Sequence, residues 1–241
     1  MRFGLLGEKL DYSFSKNYFE TKFQNLNLNH SYSNFEIKNI REFPDLINRE
    51  KELTGLNVTI PYKEEVIPFL DEIDNSAQKI GAVNTIHFKN GKLKGYNTDV
   101  FGFEKSIEKY LNSKSKSALI LGTGGASKAI AYVFKKRGIS FKNVSRNPKL
   151  GQLNYKEAGK ELNQFQIIIN TTPLGTYPEI KNRAPLPLEL VNSQHFFFDL
   201  VYNPVESLFL KEAKMKGAKT KNGLEMLELQ ANKSWDIWNE L

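Results

Sequence analysis

The feature of this sequence that most constrains its fold is an apolar run that ends in a cluster of glycines. Residues 118–121 read ALIL, and GTGGA follows at residues 122–126 before a helical pattern that extends to about Arg137. An uninterrupted apolar run is typical of a strand that is buried on both faces of a parallel sheet. Glycines permit a tight turn and let a ligand approach the backbone N–H groups at the start of a helix. This strand, turn and helix predict a Rossmann-like unit that binds a dinucleotide, although a glycine-rich turn without a ligand is the alternative.

The rest of the chain repeats this alternation of apolar runs and helical patterns. Further strands are predicted at residues 3–7, 32–37, 56–60, 82–88, 92–96, 141–145, 165–170 and 196–201. Helical patterns cover residues 15–26, 40–49 and 224–241, with further helices between the later strands. Asn90-Gly91, between two predicted strands, indicates a β-hairpin. The alternation predicts an α/β protein with two α/β domains, of which the N-terminal one has a mostly parallel sheet and the other is Rossmann-like.

The two predicted domains meet near residues 98–117, where residues 112–117 form a polar stretch that reads as a surface linker. We predict the first domain at residues 1–98, completed by a C-terminal helix at residues 223–241. The second domain is predicted at residues 99–222. Open α/β sheets bind ligands at the carboxyl ends of their strands, so we expect the functional site in a cleft between the domains.

Composition excludes several classes of protein. Of the 241 residues, 40% are hydrophobic and 25% are charged, which is ordinary for a globular protein and excludes a disordered chain. There is no cysteine, and the three histidines are scattered without the spacing of metal ligands, so we expect no metal site. No apolar stretch is long enough to cross a membrane, and the N-terminus reads as a first strand rather than a signal peptide. A cytoplasmic protein is therefore expected.

The formal net charge of +7 suits an anionic substrate and cofactor. Nucleic acid is the alternative partner, but the lysines are spread along the whole chain and no nucleic-acid-binding motif is present. We therefore expect a small-molecule partner and neither nucleic acid nor membrane.

The segment SRNPK, after the second strand of the predicted Rossmann-like unit, indicates which dinucleotide is bound. NAD enzymes place an acidic residue there for the ribose hydroxyl, and NADP enzymes place a basic residue there for the extra phosphate. This segment has no acid, and Arg146 carries a planar fork that suits a phosphate. The sequence therefore predicts NADP (NADPH).

Three polar segments in the first half of the chain contain Lys63, Asn84 and Asp99. Lys63 and Asp99 follow predicted strands, and Asn84 lies inside one. Read singly, Lys63 is a surface lysine, Asn84 a buried amide satisfied by backbone, and Asp99 a helix N-cap. Lys63 is expected at the start of a helix, where a positive charge opposes the helix dipole, and this misfit suggests a function. Reduction of a carbonyl group needs a proton donor near its oxygen, and a lysine beside an aspartate is one way to build that donor.

Seven segments, taken in order, resemble motifs of the shikimate dehydrogenase family, which includes quinate/shikimate dehydrogenases. They are NVTIPYK at residues 57–63, GAVNT at 81–85, NTDVFG at 97–102, GTGGA at 122–126, NTTPLG at 170–175, DLVYNP at 199–204 and GLEMLELQ at 223–230. The resemblance covers nearly the whole chain. It implies a reversible, NADPH-dependent reduction of 3-dehydroshikimate to shikimate, a step of chorismate and aromatic amino-acid biosynthesis, with a shikimate-binding first domain and an NADP-binding second domain.

The resemblance also implies roles for individual residues. Lys63 and Asp99 would be the catalytic acid–base pair, with Lys63 as the proton donor. Substrate would be bound by Ser13, Ser15, Thr59, Asn84, Asp99, Tyr202 and Gln230. The cofactor would be bound by Gly122, Thr123, Gly124, Gly125, Ala126, Ser145, Arg146, Asn147, Lys149, Leu200 and Gly223. The alternatives are a quinate/shikimate dehydrogenase that uses NAD or both cofactors and a non-catalytic binding protein of the same fold; the protein would be a monomer or a homodimer.

Overall fold

The computed structural model of the protein describes residues 1–10, 13–111 and 115–240. The strands are β1 (Arg2–Gly7), β2 (Ser31–Glu36), β3 (Leu53–Val58), β4 (Glu72–Ile73), β5 (Thr85–Lys89), β6 (Lys92–Tyr96), β7 (Ser117–Leu121), β8 (Ser140–Val144), β9 (Ile167–Asn170), β10 (Phe196–Asp199) and β11 (Lys219–Asn222). The α-helices are α1 (Phe14–Asn25), α2 (Phe43–Arg49), α3 (Asn75–Ile80), α4 (Asp99–Ile107), α5 (Gly125–Lys136), α6 (Tyr155–Lys160), α7 (Leu208–Met215) and α8 (Leu224–Trp238). The chain divides into two compact units, the first formed by Met1–Thr98 with Ala231–Leu241 and the second by Asp99–Gln230.

The first unit contains a six-stranded sheet in the order β2-β1-β3-β5-β6-β4. Strand β1 pairs in parallel with β2 and β3, and β4 pairs in parallel with β6, whereas β5 is antiparallel to both β3 and β6. Three of its five neighbouring pairs are parallel, and the sheet is mixed because β5 runs against its neighbours; the two-residue turn between β5 and β6 can join only antiparallel strands. That turn is the predicted hairpin at Asn90 and Gly91, whose φ angles of 51° and 74° both lie in the left-handed region.

Side chains of β1 alternate between two cores, as the pleat of a strand requires. On one face an aromatic cluster joins β1, α1 and the end of α8, and consists of Phe3, Phe19, Phe23, Tyr32, Trp235 and Trp238 together with smaller apolar side chains. Leu6 points to the opposite face, where it packs in a second cluster with residues of α2 and β3. The Trp238 ring stacks on Phe3 at 4.8 Å between centroids, and its Nε1 donates a hydrogen bond to Ile86 O at 3.0 Å. The last turns of α8 are thereby fixed to the first unit.

The second unit contains a five-stranded sheet in the order β11-β10-β9-β7-β8, and every neighbouring pair in it is parallel. Residues 118–121 are fully buried, with one apolar cluster on each face of the sheet. This is the arrangement expected of a doubly wound α/β unit. The predicted α/β fold class is confirmed.

Differences from the sequence-based prediction are confined to short segments. Residues 112–114 of the predicted linker lie outside the described residues, and Ser117 belongs to β7. Strand β11 was not predicted because its sequence, KTKN, is polar and it lies at the edge of its sheet. None of the helices in the described part of the chain combines the length and the apolar character that a bilayer crossing needs.

Candidate active site

The first part of the candidate site is the N-terminus of α1, in the first unit. Ser13 precedes α1, and its backbone N–H donates to Leu10 O at 3.0 Å. Its hydroxyl does not cap the helix, and Ser13 Oγ is buried without a hydrogen-bond partner among the described residues. The first turn of α1 carries no acidic side chain, so the positive end of the helix dipole has no charged partner within the helix. An unsatisfied buried hydroxyl beside a helix N-terminus is well suited to bind a carboxylate.

Thr59 and Lys63 follow β3 in a segment that is fixed by backbone hydrogen bonds. The Thr59 N–H donates to Leu6 O at 2.9 Å, and the Lys63 carbonyl accepts from Val83 N at 2.7 Å. Lys63 lies within successive turns at residues 60–66, not at the start of a helix as predicted. A helix does not form because the Lys63 carbonyl is used by Val83 and because Pro68 has no N–H to donate. The argument from the helix dipole therefore does not apply to Lys63.

Asn84 lies immediately before β5 rather than inside it, since the strand begins one residue later than Asn84. Its carbonyl accepts from Val58 N at 2.8 Å, and its N–H donates to Tyr96 O at 3.0 Å. The Asn84 side-chain oxygen, Oδ1, accepts a hydrogen bond from Thr98 N at 2.7 Å. The segments that contain Lys63 and Asn84 are thus held together by their main chains, and the Asn84 amide is held by Thr98.

A buried group of polar side chains next to Asn84 was not predicted from the sequence. Tyr32 Oη donates to Asn57 Oδ1 at 2.8 Å, and Asn57 Nδ2 donates to Ser234 Oγ at 2.9 Å. All three residues are at most 5% exposed. Asn57 is the first residue of the NVTIPYK segment, and its place in that motif could have indicated a role. Nothing in the sequence links it to Tyr32 or to Ser234. We refer to Tyr32, Asn57 and Ser234 as the buried polar chain.

In the second unit, the glycine loop lies between β7 and α5. Gly122 has a φ of 114°, and a Cβ at this position would lie 2.5 Å from Thr171 Oγ1, so only glycine fits without strain. Gly124 is the N-cap of α5 and offers no side chain to its N–H groups, and an added Cβ there would meet no atom within 4 Å. The first turn of α5 has no acidic residue. N–H groups at a helix N-terminus that no side chain caps, next to an open position at Gly124, fit a pyrophosphate.

The segment 145–149 follows β8, which pairs in parallel with β7 so that Val144 lies opposite Leu121. Because parallel strands end at the same sheet edge, Arg146 follows its strand beside the glycine loop. Arg146 is exposed, and its charge lowers the pKa of Tyr155, although burial, the larger effect, raises the pKa of that phenol above its usual value. The segment is ordered by short-range bonds, among them Asn147 N to Ser145 Oγ at 3.2 Å. An exposed arginine in this position can reach a phosphate group of a bound nucleotide.

Asp199, at the end of β10, organises the loop that contains Leu200 and Tyr202. Asp199 Oδ1 accepts from Asn170 Nδ2 at 2.8 Å and from Val201 N at 3.0 Å, and Oδ2 accepts from Ser207 Oγ at 2.5 Å. Burial raises the pKa of this carboxyl group to about 6, although the hydrogen bonds oppose the shift. In the sequence, Asp199 is the first residue of the DLVYNP segment, and no role was predicted for it.

Two predicted cofactor residues, Leu200 and Gly223, are neighbours in the second unit. A Cβ on Gly223 would overlap the Leu200 carbonyl oxygen, so the close approach of the two backbones requires glycine. The Leu200 N–H donates to Asn170 O at 2.9 Å, which fixes the loop to the end of β9. Tyr202 is half-buried in the same loop.

Asp99, in α4, and Gln230, in the part of α8 that belongs to the second unit, lie on two helices that pack closely. Asp99 is the first residue of α4, one position beyond the N-cap, and is buried at 5% exposure. A Cβ on Gly102 would lie 2.5 Å from Met226 O and 3.1 Å from Gln230 N, so this glycine allows α4 and α8 to approach backbone to backbone. Gln230 is also buried, and its Nε2 donates to Leu227 O at 3.0 Å.

Comparison with known proteins identifies the family. A family model described as the shikimate dehydrogenase substrate binding domain matches residues 5–86. The shikimate dehydrogenase (NADP(+)) of Methanosphaera stadtmanae is 38% identical to this chain, over 98% of the chain and 90% of that protein. The chain belongs to the shikimate dehydrogenase family.

Solved structures of family members are similar to the whole chain. The shikimate dehydrogenase of Aquifex aeolicus is 35% identical and superposes with a TM-score of 0.90, over 100% of this chain and 93% of that one. The shikimate 5-dehydrogenase of Thermus thermophilus in complex with NADP(H) and shikimate is 30% identical, with a TM-score of 0.88 over 100% of this chain and 94% of that one. The family predicted from the seven motifs is therefore confirmed, whereas the roles of the individual site residues stay predictions.

The predicted site residues of this shikimate dehydrogenase family member fall into two sets. Those in the first unit are Ser13, Ser15, Thr59, Lys63 and Asn84, and those in the second unit are Asp99, Tyr202, Gln230 and all the predicted cofactor residues. Within each set the structure brings together neighbouring segments: Lys63 with Val83, Gly122 with Thr171, and Leu200 with Gly223.

Proposed function

We propose that the protein catalyses the reversible, NADPH-dependent reduction of 3-dehydroshikimate to shikimate in chorismate and aromatic amino-acid biosynthesis. The observation that carries the proposal is the N-terminus of α1, where the buried Ser13 hydroxyl lacks a partner among the described residues. A substrate carboxylate would accept hydrogen bonds from Ser13 and Ser15 and would complement the helix dipole. Membership of the shikimate dehydrogenase family supports the same reaction.

The cofactor assignment is supported by the second unit. The pyrophosphate would be bound by the backbone of residues 122–126, and the extra phosphate of NADP by Arg146, with Ser145, Asn147 and Lys149 in the same segment. Leu200 and Gly223 would contact the cofactor from the loops after β10 and β11. Bound NADPH would supply the hydride, and every other step falls to the side chains of the protein.

The proposed chemistry transfers a hydride to the carbonyl carbon and a proton to the carbonyl oxygen. Lys63 would donate that proton from Nζ, and the lysine would be reprotonated from solvent afterwards. Asp99 would orient the substrate. In the reverse direction Lys63 would accept the hydroxyl proton while the hydride leaves to NADP.

The remaining polar residues would recognise the ring hydroxyls. Thr59, Asn84, Tyr202 and Gln230 provide hydroxyl and amide groups, which both donate and accept hydrogen bonds. A pocket built from such groups discriminates against substrates that leave them unpaired, because an unpaired buried polar group costs free energy.

The decisive test is a steady-state assay of NADPH oxidation with 3-dehydroshikimate, repeated with 3-dehydroquinate and with NADH. We expect the combination of 3-dehydroshikimate and NADPH to give the highest kcat/KM. A preference for 3-dehydroquinate or for NADH would favour the quinate-type alternative, and turnover of neither substrate would favour a non-catalytic binding protein.

The catalytic pair is tested by Lys63→Ala and Asp99→Asn in the same assay. We expect kcat to fall by at least about 100-fold in each variant, since a positioned general acid contributes roughly 10²–10⁴ to rate. Lys79→Ala on α3 and Asp45→Asn on α2, both exposed residues, are the matched controls. Turnover in the site variants equal to that of the controls would contradict the assignment. Cytoplasmic location and a monomeric or homodimeric state stay predictions.

A further inference from the structure

The buried polar chain occupies a part of the first unit where apolar side chains would be less costly. Buried polar groups are tolerated only when each of them is hydrogen-bonded, and a fully bonded network fixes one arrangement of its members. Tyr32 lies in β2 and Ser234 in α8, and they bond to the two different amide atoms of Asn57. Such a network across three elements suggests a role beyond packing.

One end of the buried polar chain is the Tyr32 phenol, which donates to Asn57. Burial raises the pKa of this phenol well above its usual value. Tyr32 therefore stays neutral and keeps the proton that it donates to Asn57 Oδ1. The phenol thereby fixes the orientation of the Asn57 side chain, with Oδ1 toward Tyr32 and Nδ2 toward Ser234.

The other end of the buried polar chain reaches Asn84. Ser234 Oγ lies 2.8 Å from Thr85 Oγ1 and 3.2 Å from Thr98 Oγ1. Thr85 Oγ1 donates to Asn84 Oδ1 at 3.1 Å, and Asn84 Nδ2 donates to Thr98 Oγ1 at 3.0 Å. Because Asn84 Oδ1 also accepts from the Thr98 backbone N–H, the amide has only one orientation, with its oxygen toward the protein donors.

From this continuous path we infer that Tyr32, Asn57 and Ser234 are positioning residues that hold Asn84 in the orientation in which it binds substrate. The inference rests on the proposed function, since Asn84 is one of its substrate-binding residues. None of the three residues of the buried polar chain needs to touch the substrate.

The experiment compares Tyr32→Phe, Ser234→Ala and the double variant with Ser106→Ala as the matched control. Tyr32→Phe keeps the ring that stacks on Phe19 at 4.7 Å, and Ser106 is a fully buried serine of α4 whose hydroxyl bonds to Phe103 O. With 3-dehydroshikimate as substrate, each variant is assayed for the substrate KM and the NADPH KM. The Kd for shikimate is measured by calorimetry, and thermal unfolding is recorded for every variant.

We expect each single variant to raise the substrate KM and the Kd for shikimate about tenfold. This is the size of effect expected when one hydrogen bond that orients a binding residue is lost. The NADPH KM should change less than about twofold. A general loss of structure, in contrast, would act on the binding of both ligands. The double variant should raise the Kd by less than the product of the single effects, because both residues act through one path. Ser106→Ala should leave both KM values unchanged.

The outcomes separate this inference from the proposed function. A wild-type protein that neither reduces 3-dehydroshikimate nor binds shikimate would overturn the proposed function, and this inference with it. An active wild-type protein whose Tyr32→Phe variant is folded and keeps the wild-type KM and Kd would overturn the inference alone. If Ser234→Ala does not fold, Tyr32→Phe decides the question. Equal changes in the KM values for both ligands would also count against a positioning role.

Discussion

Asp199 links the stability of the second unit to pH in a way that can be measured. Its carboxyl group is fully buried, and burial raises its pKa from 3.8 to about 6 in the folded protein. In the unfolded chain the group ionises near its ordinary value. Between about pH 4 and pH 6 the folded state therefore keeps a proton that the unfolded state has released. The free energy of unfolding falls as the pH rises over this range, and the loss is complete above about pH 6.

The magnitude follows from the size of the shift. A difference of about 2 pKa units corresponds to roughly 3 kcal/mol at 1.36 kcal/mol per unit. Above about pH 6 the buried charge lowers the free energy of unfolding by this full amount, and below about pH 4 the cost disappears. Asp199→Asn removes the charge at every pH. Its amide oxygen can still accept from Asn170 and Val201, and its amide nitrogen can donate to Ser207 Oγ, so the shape of the cluster is kept.

We therefore expect the stability of Asp199→Asn relative to wild type to rise by up to about 3 kcal/mol between about pH 4 and pH 7. The assay is urea unfolding followed by circular dichroism over this range. Circular dichroism is preferred to fluorescence because both tryptophans, Trp235 and Trp238, lie in the first unit whereas Asp199 lies in the second.

Ser207→Ala is the companion variant, because it removes a hydrogen bond that lowers the Asp199 pKa. We expect it to move the pH-dependent transition upward. It should also cost about 1 kcal/mol at every pH, because Ser207 caps α7. A stability difference between Asp199→Asn and wild type that stays constant within about 0.5 kcal/mol over the whole range would refute the reasoning.

Three further predictions concern ligand binding. Ser13→Ala should raise the substrate KM, measured with 3-dehydroshikimate, about tenfold and leave the unfolding temperature unchanged, since its hydroxyl has no partner among the described residues; a destabilised variant would show that the hydroxyl serves the fold. Gly122→Ala should lower stability by about 1–3 kcal/mol and raise the NADPH KM, because of its φ of 114° and the clash with Thr171; unchanged unfolding curves would contradict this. Arg146→Ala should raise the NADPH KM about tenfold or more and leave the NADH KM nearly unchanged. An equal rise in the KM values of both cofactors would exclude a phosphate-binding role.

Motif reading located the segments of the candidate site but misjudged some of their local structure. The glycine loop followed by a helix was predictable because strand, turn and helix are encoded within about twenty residues that interact locally. Lys63 was expected at the start of a helix, yet its carbonyl accepts a hydrogen bond from Val83, which lies on a different segment. Local preference could not anticipate a hydrogen bond that is made only when two distant segments meet.

The sequence by itself determined the alternation of strands and helices, the glycines at turns, the hairpin at Asn90 and Gly91 and the family. These features depend on side-chain periodicity and backbone freedom, which act over a few residues. Only the tertiary structure decided that Tyr32, Asn57 and Ser234 form one hydrogen-bonded path and that Asp199 is fully buried between Asn170 and Ser207. The physical reason is that hydrogen bonding and desolvation depend on neighbours in space, and residues up to 177 positions apart in the chain become neighbours only on folding.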